Sequence, residues 1–303
     1  MQAANACSPT IVPIRPGSGP PLVLVHSALG STGYYASLGR ELPPEVPVYG
    51  LNSIGLFGGA EPVRSFEAMA ERYLAACREL YPKGPWILGG HSMGAYIAFE
   101  MCLQAGESRI PRCLVIDQAG PAYAGMGTLI SNADVAEAVA SLISVIASLH
   151  EQALPAPLEV IRDTLASADE AGQLRHIAGW LRELRFLPQA ASDAMAEAFL
   201  NVLMANCIAE TQWSPGERTY AGELSIIRAR DSLHEPEAYA QWQQYCSRQI
   251  QAREISGSHA TIMSRPYVLE LAARLCELLG TRSAAIVPAN LEERAECFPQ
   301  MTT

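Results

Sequence analysis

The stretch Gly89-Gly90-His91-Ser92-Met93-Gly94-Ala95 decides the fold of this chain. It lies between a short apolar run, Trp86-Ile87-Leu88, and a longer apolar run with helical periodicity. This succession predicts a strand, a tight turn and a helix, and Gly90-His91-Ser92-Met93-Gly94 fits the G-x-S-x-G nucleophile elbow. The flanking glycines are expected because the strained turn leaves room only for small residues. We therefore predict a nucleophilic Ser92, with the N–H of Met93 directed where an oxyanion would form. The alternative is a glycine-rich turn whose serine only caps the helix.

The chain around this stretch alternates short apolar runs with amphipathic segments. Pro21–His26, Val46–Leu51 and Cys113–Ile116 are apolar runs of the kind found in buried strands, and Ile11–Arg15 resembles an edge strand. Ser65 precedes an apolar face with helical spacing. Strands that alternate with helices in this way predict an α/β fold, a mostly parallel central sheet flanked by helices on both faces.

The second half of the chain contains a long helical interruption. From Pro121 to about Gly222 the sequence predicts helices and no strand, which is more than one crossover needs. We interpret residues 121–190, approximately, as a helical lid insertion; the alternative is a purely structural helical subdomain. The predicted helices of this interruption cover residues 134–150, 158–168, 173–186 and 191–210. Strands resume at Leu224–Arg230 and Gln249–Ile255, and a last helix spans Tyr267–Leu279.

These patterns divide the chain into three parts. Residues 1–20 form a linker and edge segment, residues 21–280 form the α/β domain with its insertion, and residues 281–303 form a C-terminal tail. The first segment lacks a basic region followed by an apolar core, so it does not resemble a signal peptide.

A serine hydroxyl needs an adjacent base, and the chain offers six histidines. His259 lies in a Gly/Ser loop between the last strand and the last helix, from which an imidazole can reach the elbow. We predict His259 as the base; the alternative is a loop histidine that caps the last helix. His91 should point its side chain away from the serine hydroxyl. The other histidines are His26 at the end of the first core strand, His150 and His176 in the predicted lid, and His234 after the strand that ends at Asp231.

The third triad member has two candidates. Ligand sites of parallel sheets lie at the carboxyl ends of strands, where Ala28, Ser92 and Asp117 are all predicted. Asp117 follows the strand after the nucleophile helix, and Asp231 follows the next strand along the chain. Both give the order Ser, Asp, His, so order does not choose between them.

Several segments resemble the thioesterase domains that end nonribosomal peptide and polyketide synthetases. The similar segments are His26-Ser-Ala-Leu-Gly30, Val48-Tyr-Gly-Leu51, Tyr81-Pro-Lys-Gly-Pro85, Leu88-Gly-Gly-His-Ser-Met-Gly-Ala95, Leu114-Val-Ile-Asp117 and Gly257-Ser-His259. The resemblance fails in the insertion, the variable part of that family. It implies an α/β-hydrolase fold with a large helical lid, whose apolar helices shape a chamber for an acyl chain.

The resemblance also implies roles for particular residues. In that family the acid follows the strand after the nucleophile, which favours Asp117 and leaves Asp231 as the alternative. The oxyanion donors are the N–H after the serine and one in the loop after the first core strand, here those of Met93 and Ala28. The substrate would be an acyl or peptidyl chain on the phosphopantetheine arm of a carrier protein domain, in cis or in trans. Release by hydrolysis or macrocyclisation through acyl-Ser92 would need no bound cofactor and no metal.

Composition excludes several other classes of function. The chain has 303 residues, is 49% hydrophobic and 17% charged, and has a net charge of −10. Without a dense Lys/Arg tract, nucleic acid and anionic membrane are not expected partners, and no apolar run is long enough to span a bilayer. Eight cysteines without a C-x-x-C pair suggest free thiols and a cytoplasmic location rather than disulfides or zinc. Polyketide thioesterases often dimerise through added N-terminal helices, and residues 1–20 are rich in proline and glycine, so we expect a monomer.

Three alternatives to a releasing thioesterase stay open from the sequence. A freestanding editing thioesterase would be shorter and would lack the long insertion. A lidded carboxylesterase would act on free esters. A non-catalytic binding protein with the same fold would not need the intact Ser92 and His259.

Overall fold

The described residues of the computed structural model form a seven-stranded sheet. The structure describes residues 10–281, except 58, 83, 107–110, 125–138, 141–142, 145, 148–151 and 188. The strands are β1 (Ile11–Arg15), β2 (Leu22–Val25), β3 (Val48–Leu51), β4 (Ile87–His91), β5 (Arg112–Ile116), β6 (Leu224–Asp231) and β7 (Gln251–Ser258). Their order is β1-β3-β2-β4-β5-β6-β7, and every neighbouring pair is parallel except the edge pair of β1 and β3. The predicted mostly parallel α/β sheet is confirmed.

Two strands are longer at their carboxyl ends than the apolar runs predicted. β4 continues through Gly89 and Gly90 to His91, where the sequence suggested a strand that ends at Leu88. Gly89 faces the neighbouring strand closely, since a Cβ there would lie 2.9 Å from the Cβ of Leu114. Glycine in this strand therefore marks close packing rather than a turn. β7 likewise continues to Ser258, so its pairing extends into the predicted Gly/Ser loop.

Helices cover both faces of the sheet, and a further group of helices lies outside these layers. The helices with given bounds are α1 (Ala36–Glu41), α2 (Phe66–Leu80), α3 (Met93–Gln104), α4 (Leu158–Ser167), α5 (Glu170–Glu183), α6 (Asp193–Gln212), α7 (Pro236–Ala240) and α8 (Tyr267–Leu279). The predicted cap is present at α2, where the Ser65 side chain accepts a hydrogen bond from the N–H of Ala68. The helix predicted over residues 134–150 lies mostly outside the described residues, as does the tail.

The strand residues alternate between two apolar clusters. Val23 and Val25 of β2 pack with α2 and α3 on one face, while Leu22 and Leu24 pack with α1 and α8 on the other. This alternation follows from the two-residue period of a strand. Burial on both faces explains why these strands are uninterrupted apolar runs.

A third apolar cluster lies outside these two layers. It joins α4, α5 and α6 with Leu29, which follows β2. The helices of the long interruption therefore have a core of their own, and α6 also reaches the sheet domain, because Ala209 near its carboxyl end belongs to the cluster of α2 and α3.

Two predictions from composition concern the described residues. Six of the eight cysteines lie in the described part of the chain, and all six are buried free thiols. None of the helices described is long and apolar enough to cross a membrane.

Candidate active site

Ser92 occupies the turn between β4 and α3. Its backbone has φ 57° and ψ −142°, a left-handed conformation that costs energy in any residue except glycine. A Cβ on Gly90 would lie 2.3 Å from the carbonyl carbon of Gly94, and a Cβ on Gly94 would lie 2.5 Å from the carbonyl oxygen of Val25. The spacing of the two glycines is therefore a steric requirement, as the sequence pattern suggested. The turn leaves the Ser92 side chain half-buried at the amino end of α3.

His259 and Asp117 form a hydrogen-bonded pair beside this turn. The distance from His259 Nδ1 to Asp117 Oδ2 is 2.9 Å. Because an ionised carboxylate only accepts hydrogen bonds, Nδ1 carries the proton, and in the neutral imidazole Nε2 has a lone pair that can accept one. The His259 ring lies 4.5 Å, centroid to centroid, from the ring of His91, the residue before Ser92. Asp117 directly follows β5 and His259 directly follows β7, so the carboxyl ends of these two strands bring the pair together.

Three further donors hold the Asp117 carboxylate. Its Oδ1 accepts from the N–H of Ala229 at 2.9 Å and from the Tyr239 hydroxyl at 3.0 Å, and its Oδ2 accepts from the Ser232 hydroxyl at 3.0 Å. Burial would raise the pKa of Asp117, but the hydrogen bonds and charge of His259 outweigh it and hold that pKa below its usual value. Sequence reasoning missed Ser232 and Tyr239, because nothing in their local pattern relates them to Asp117.

Asp231 lies apart from this group. It is the last residue of β6 and its side chain is exposed, whereas Asp117 is 1% exposed. The pairing of β6 with β7 is irregular between Ala229 and Asp231. Past this irregularity Ser232, rather than Asp231, faces Asp117. The structure therefore brings together His259 and Asp117 and leaves the alternative acid in solvent.

His91 contacts the candidate base directly. Its Nε2 donates a hydrogen bond to the backbone carbonyl of His259 at 3.0 Å. Burial, and then the nearby His259, lower the pKa of His91 to about 3, so its ring is neutral. The Tyr35 hydroxyl accepts from the N–H of His91 at 2.8 Å and donates to the carbonyl of Val25 at 2.9 Å, which ties β4 to β2. A histidine that sequence reasoning set aside thus supports the loop that holds His259.

The two predicted oxyanion donors are Met93, within the elbow, and Ala28, in the loop after β2. Met93 is the first residue of α3, and the first N–H groups of a helix have no partner within it. Ala28 lies in the loop after β2, and its carbonyl accepts a hydrogen bond from Asn206 Nδ2 at 2.9 Å. Asn206 is another residue that sequence reasoning missed; an asparagine in the apolar stretch of α6 was the available signal.

The remaining histidines with described positions have other contacts. The His26 ring is buried between the Ser27 carbonyl and the Tyr73 hydroxyl, each at 2.8 Å, and burial lowers its pKa to about 4. His176 stacks on Trp180 within α5, and His234 packs against Tyr123. No group of three or more metal-ligating side chains occurs among the residues described.

The chain is similar to a known protein family over most of its length. A family model described as "Thioesterase domain" matches residues 20–276. Chondramide synthase cmdD of Chondromyces crocatus is 25% identical over 276 residues, which cover 88% of this chain and 7% of that synthase. This chain thus spans less than a tenth of the length of that relative.

Two solved structures have a similar fold. The Vlm2 thioesterase domain aligns with a TM-score of 0.64 and 23% identity, covering 88% of this chain and 96% of that one. The NocB thioesterase domain from the nocardicin cluster aligns with a TM-score of 0.60 and 19% identity, covering 90% of this chain and all of that one (100%). At these identities the likeness is one of fold, and it confirms the predicted α/β-hydrolase architecture.

Proposed function

The chain belongs to the thioesterase domain family, and from that premise we propose that it releases an acyl or peptidyl chain from the phosphopantetheine thioester of a carrier protein. The observation that carries the proposal is the 2.9 Å hydrogen bond between His259 and Asp117 beside the strained Ser92 turn. This arrangement supports a Ser–His–Asp triad, with Asp117 as the acid and Asp231 outside it.

The first half of the proposed reaction acylates the serine. Ser92 Oγ forms a bond to the thioester carbonyl carbon while its proton passes to Nε2 of His259. Asp117 stabilises the imidazolium through Nδ1. The N–H groups of Met93 and Ala28 donate to the oxyanion. The C–S bond then breaks, the thiol takes the proton from His259, and an ester on Ser92 remains.

The second half transfers the acyl group to a new nucleophile. Water, or a hydroxyl or amine of the chain itself, attacks the Ser92 ester while His259 Nε2 accepts its proton. When the C–O bond to Ser92 breaks, Oγ recovers that proton. Attack by water gives a free acid and attack by the chain gives a macrocycle. Both outcomes need the same side chains, so the space around the ester decides between them.

The proposal extends to domain organisation. We place the catalytic domain at residues 21–280, with the helical insertion at about 121–190 as a lid over the acyl chain. The separate apolar cluster of α4 and α5 supports the insertion, and α6 (Asp193–Gln212) shares this cluster although it lies beyond residue 190. The phosphopantetheine arm arrives with the carrier as part of the substrate.

We also propose that the chain is a cytoplasmic monomer; light scattering at several protein concentrations tests its oligomeric state.

A labelling experiment tests the proposed nucleophile. A fluorophosphonate probe should label the purified protein at one site, and peptide mapping should place the label on Ser92. The Ser92→Ala variant should take up no label. Absence of label on the parent protein, or a label elsewhere, would contradict the proposed mechanism.

Turnover assays then test the reaction class. An N-acetylcysteamine thioester should be cleaved faster than the oxoester with the same acyl group, and intact-mass spectrometry should reveal acyl-Ser92. A preference for the oxoester would instead favour a carboxylesterase. Mass analysis of the released product, as a free acid or a cyclic product that is lighter by one water, distinguishes hydrolysis from macrocyclisation.

A further inference from the structure

The helix α6 packs directly on the loop that carries Ala28. Gly30 of this loop approaches α6 so closely that a Cβ on it would lie 2.5 Å from Cγ1 of Val202. Leu29 belongs to the same apolar cluster as Phe199 and Leu203 of α6. The loop and the helix are therefore fitted to each other without space between them.

One turn after Val202, a polar side chain joins the two elements. Asn206 is 0% exposed, and its Nδ2 donates to the carbonyl oxygen of Ala28 at 2.9 Å. Its Oδ1 accepts from the Ser53 hydroxyl at 3.4 Å. A buried amide without partners would cost free energy, so these two contacts fix where the Asn206 side chain lies.

Both peptide groups around Ala28 are held. The preceding carbonyl, of Ser27, accepts from His26 Nδ1 at 2.8 Å and from the N–H of Gly30 at 2.9 Å. The Ala28 N–H belongs to that same planar trans peptide and so points away from those donors. The following carbonyl, of Ala28 itself, is held by Asn206. Of these contacts, only the one from Asn206 comes from a distant part of the chain.

We propose that Asn206 is a positioning residue for the oxyanion hole. By holding the Ala28 carbonyl it keeps the Ala28 N–H directed towards the oxyanion that forms on the ester of Ser92. This inference rests on the proposed function, because it assigns Asn206 to the transition state of that reaction. Removing an oxyanion donor outright typically costs about 10²–10³-fold in kcat. Loosening one donor should cost less, about 10- to 100-fold.

The Asn206→Leu variant tests this role. It keeps the branched shape and the number of heavy atoms of the side chain and removes the donor to Ala28. We expect kcat for the thioester to fall about 10- to 100-fold with KM changed less than about twofold, because the oxyanion exists only in the transition states. The rate of fluorophosphonate labelling should fall by a similar factor, since charge also develops on the phosphoryl oxygen.

Cys207→Ala is the matched control on the same helix. Cys207 is buried in the cluster of α4, α5 and α6. Its truncation should lower the unfolding temperature and leave kcat and the labelling rate unchanged. If Asn206→Leu also loses stability but keeps both rates, Asn206 only anchors α6 and the proposal is wrong. If Asn206→Leu does not fold, Asn206→Ala is measured with the same two readouts.

The parent protein separates failure of this inference from failure of the proposed function. If the parent is labelled at Ser92 but does not cleave thioesters, the proposed reaction is wrong, and the ratio of labelling rates still tests Asn206. If the parent is not labelled, both the proposed function and the role of Asn206 are overturned.

Discussion

Two buried carboxylates, Asp117 and Glu100, have similar surroundings and different partners. Asp117, at the end of β5, is 1% exposed and accepts hydrogen bonds from His259 and three other donors. Glu100, within α3, is 0% exposed and is held by both Nη atoms of Arg218, at 2.7 and 2.8 Å. The side chains of Gln104 and Trp213 complete its shell, at 2.8 and 2.9 Å.

Burial and a lowered pKa do not separate the two groups. Burial would raise the pKa of Glu100, but the hydrogen bonds from Arg218, Gln104 and Trp213 together with the charge of Arg218 outweigh it, so that pKa is lowered, as it is for Asp117. What differs is the partner. The guanidinium of Arg218 stays charged, so Glu100 holds the segment after α6 to α3. In the proposed reaction the imidazole of His259 accepts a proton from Ser92, and Asp117 stabilises the imidazolium that forms. The partner, rather than the carboxylate, indicates a catalytic role.

The largest expected effect comes from breaking the proposed catalytic pair of Asp117 and His259. In Asp117→Asn the new amide would donate to Nδ1 of His259, which places the ring proton on Nε2, where it blocks proton transfer from Ser92. We expect kcat for a thioester to fall about 10⁴-fold, as for loss of a triad acid. Circular dichroism and an unfolding curve show whether the variant folds, and steady-state kinetics measure the loss.

Asp231→Asn is the matched control for that variant. Asp231 is exposed at the end of β6, so its neutralisation should change kcat less than about twofold. A large loss in Asp231→Asn together with an active Asp117→Asn would reverse the assignment of the acid.

The second effect concerns stability rather than rate. Glu100→Gln leaves Arg218 without its charged partner and places an amide N–H₂ against the guanidinium. Breaking a buried pair typically costs about 3–5 kcal/mol. Arg218 is 43% exposed and can regain water, so we expect about 3 kcal/mol, at the lower end. Urea unfolding measures this loss, while kcat per fluorophosphonate-labelled site should change less than about twofold.

An ion pair on the surface gives the reference for the stability cost of Glu100→Gln. Glu277 pairs with Arg274 at 2.8 Å across one turn of α8 and its side chain is 56% exposed. Glu277→Gln should cost less than about 0.5 kcal/mol. If Glu100→Gln were as mild, or if it lowered kcat without lowering stability, the separation between the two carboxylates would be wrong.

The sequence predicted those features that depend on neighbouring residues. Continuous apolar runs identified the core strands, Ser65 identified the start of α2, and steric limits on Gly90 and Gly94 identified the elbow. Both aspartates follow strands, so local pattern did not choose between Asp117 and Asp231. The choice came from family resemblance, and the irregular pairing of β6 gives it a structural reason.

Other features depend on contacts between distant segments. Asn206 lies 178 residues from Ala28, and Arg218 lies 118 residues from Glu100. The sequence shows Asn206 and Glu100 simply as polar residues within apolar helical stretches. Such residues indicate that a buried partner exists without identifying it, since pairing depends on how the helices pack on the sheet.

The third expected effect is the pH dependence of the free energy of unfolding, which near neutral pH arises from buried histidines and not from Glu100. Burial lowers the pKa of His26 to about 4 from an ordinary value of 6.5. Between these values the unfolded chain binds the proton first, so stability falls as pH falls, by roughly 3 kcal/mol in all. His91, whose pKa is lowered to about 3, acts in the same direction. The carboxylate of Glu100 has a lowered pKa, so its contribution is complete above its ordinary value of 4.5 and is lost only at lower pH.

Urea unfolding at pH 7.5, 6.5, 5.5 and 4.5 measures this dependence. The parent and Glu100→Gln should lose stability with the same slope between about pH 6.5 and 5. His26→Gln should be less stable at pH 7.5 and have a shallower slope. A parent whose unfolding free energy stays constant over this range would contradict the assignment of a neutral, buried His26.

The smallest effect removes one of the four donors to Asp117. Tyr239→Phe takes away the hydroxyl that donates to Oδ1, while the N–H of Ala229 still donates to that atom. A hydrogen bond to a charged group contributes about 1.5–3 kcal/mol, and the remaining donors reduce the loss, so we expect kcat to fall about threefold to tenfold.

Tyr220→Phe is the matched control, because that buried hydroxyl donates to the carbonyl of Pro111, away from the pair. It should lower stability by about 1 kcal/mol and leave kcat unchanged. If both variants lost the same factor in kcat, the loss would come from altered packing and not from the missing hydrogen bond to Asp117. The contacts of Asp117 would then matter no more for kcat than contacts elsewhere in the core.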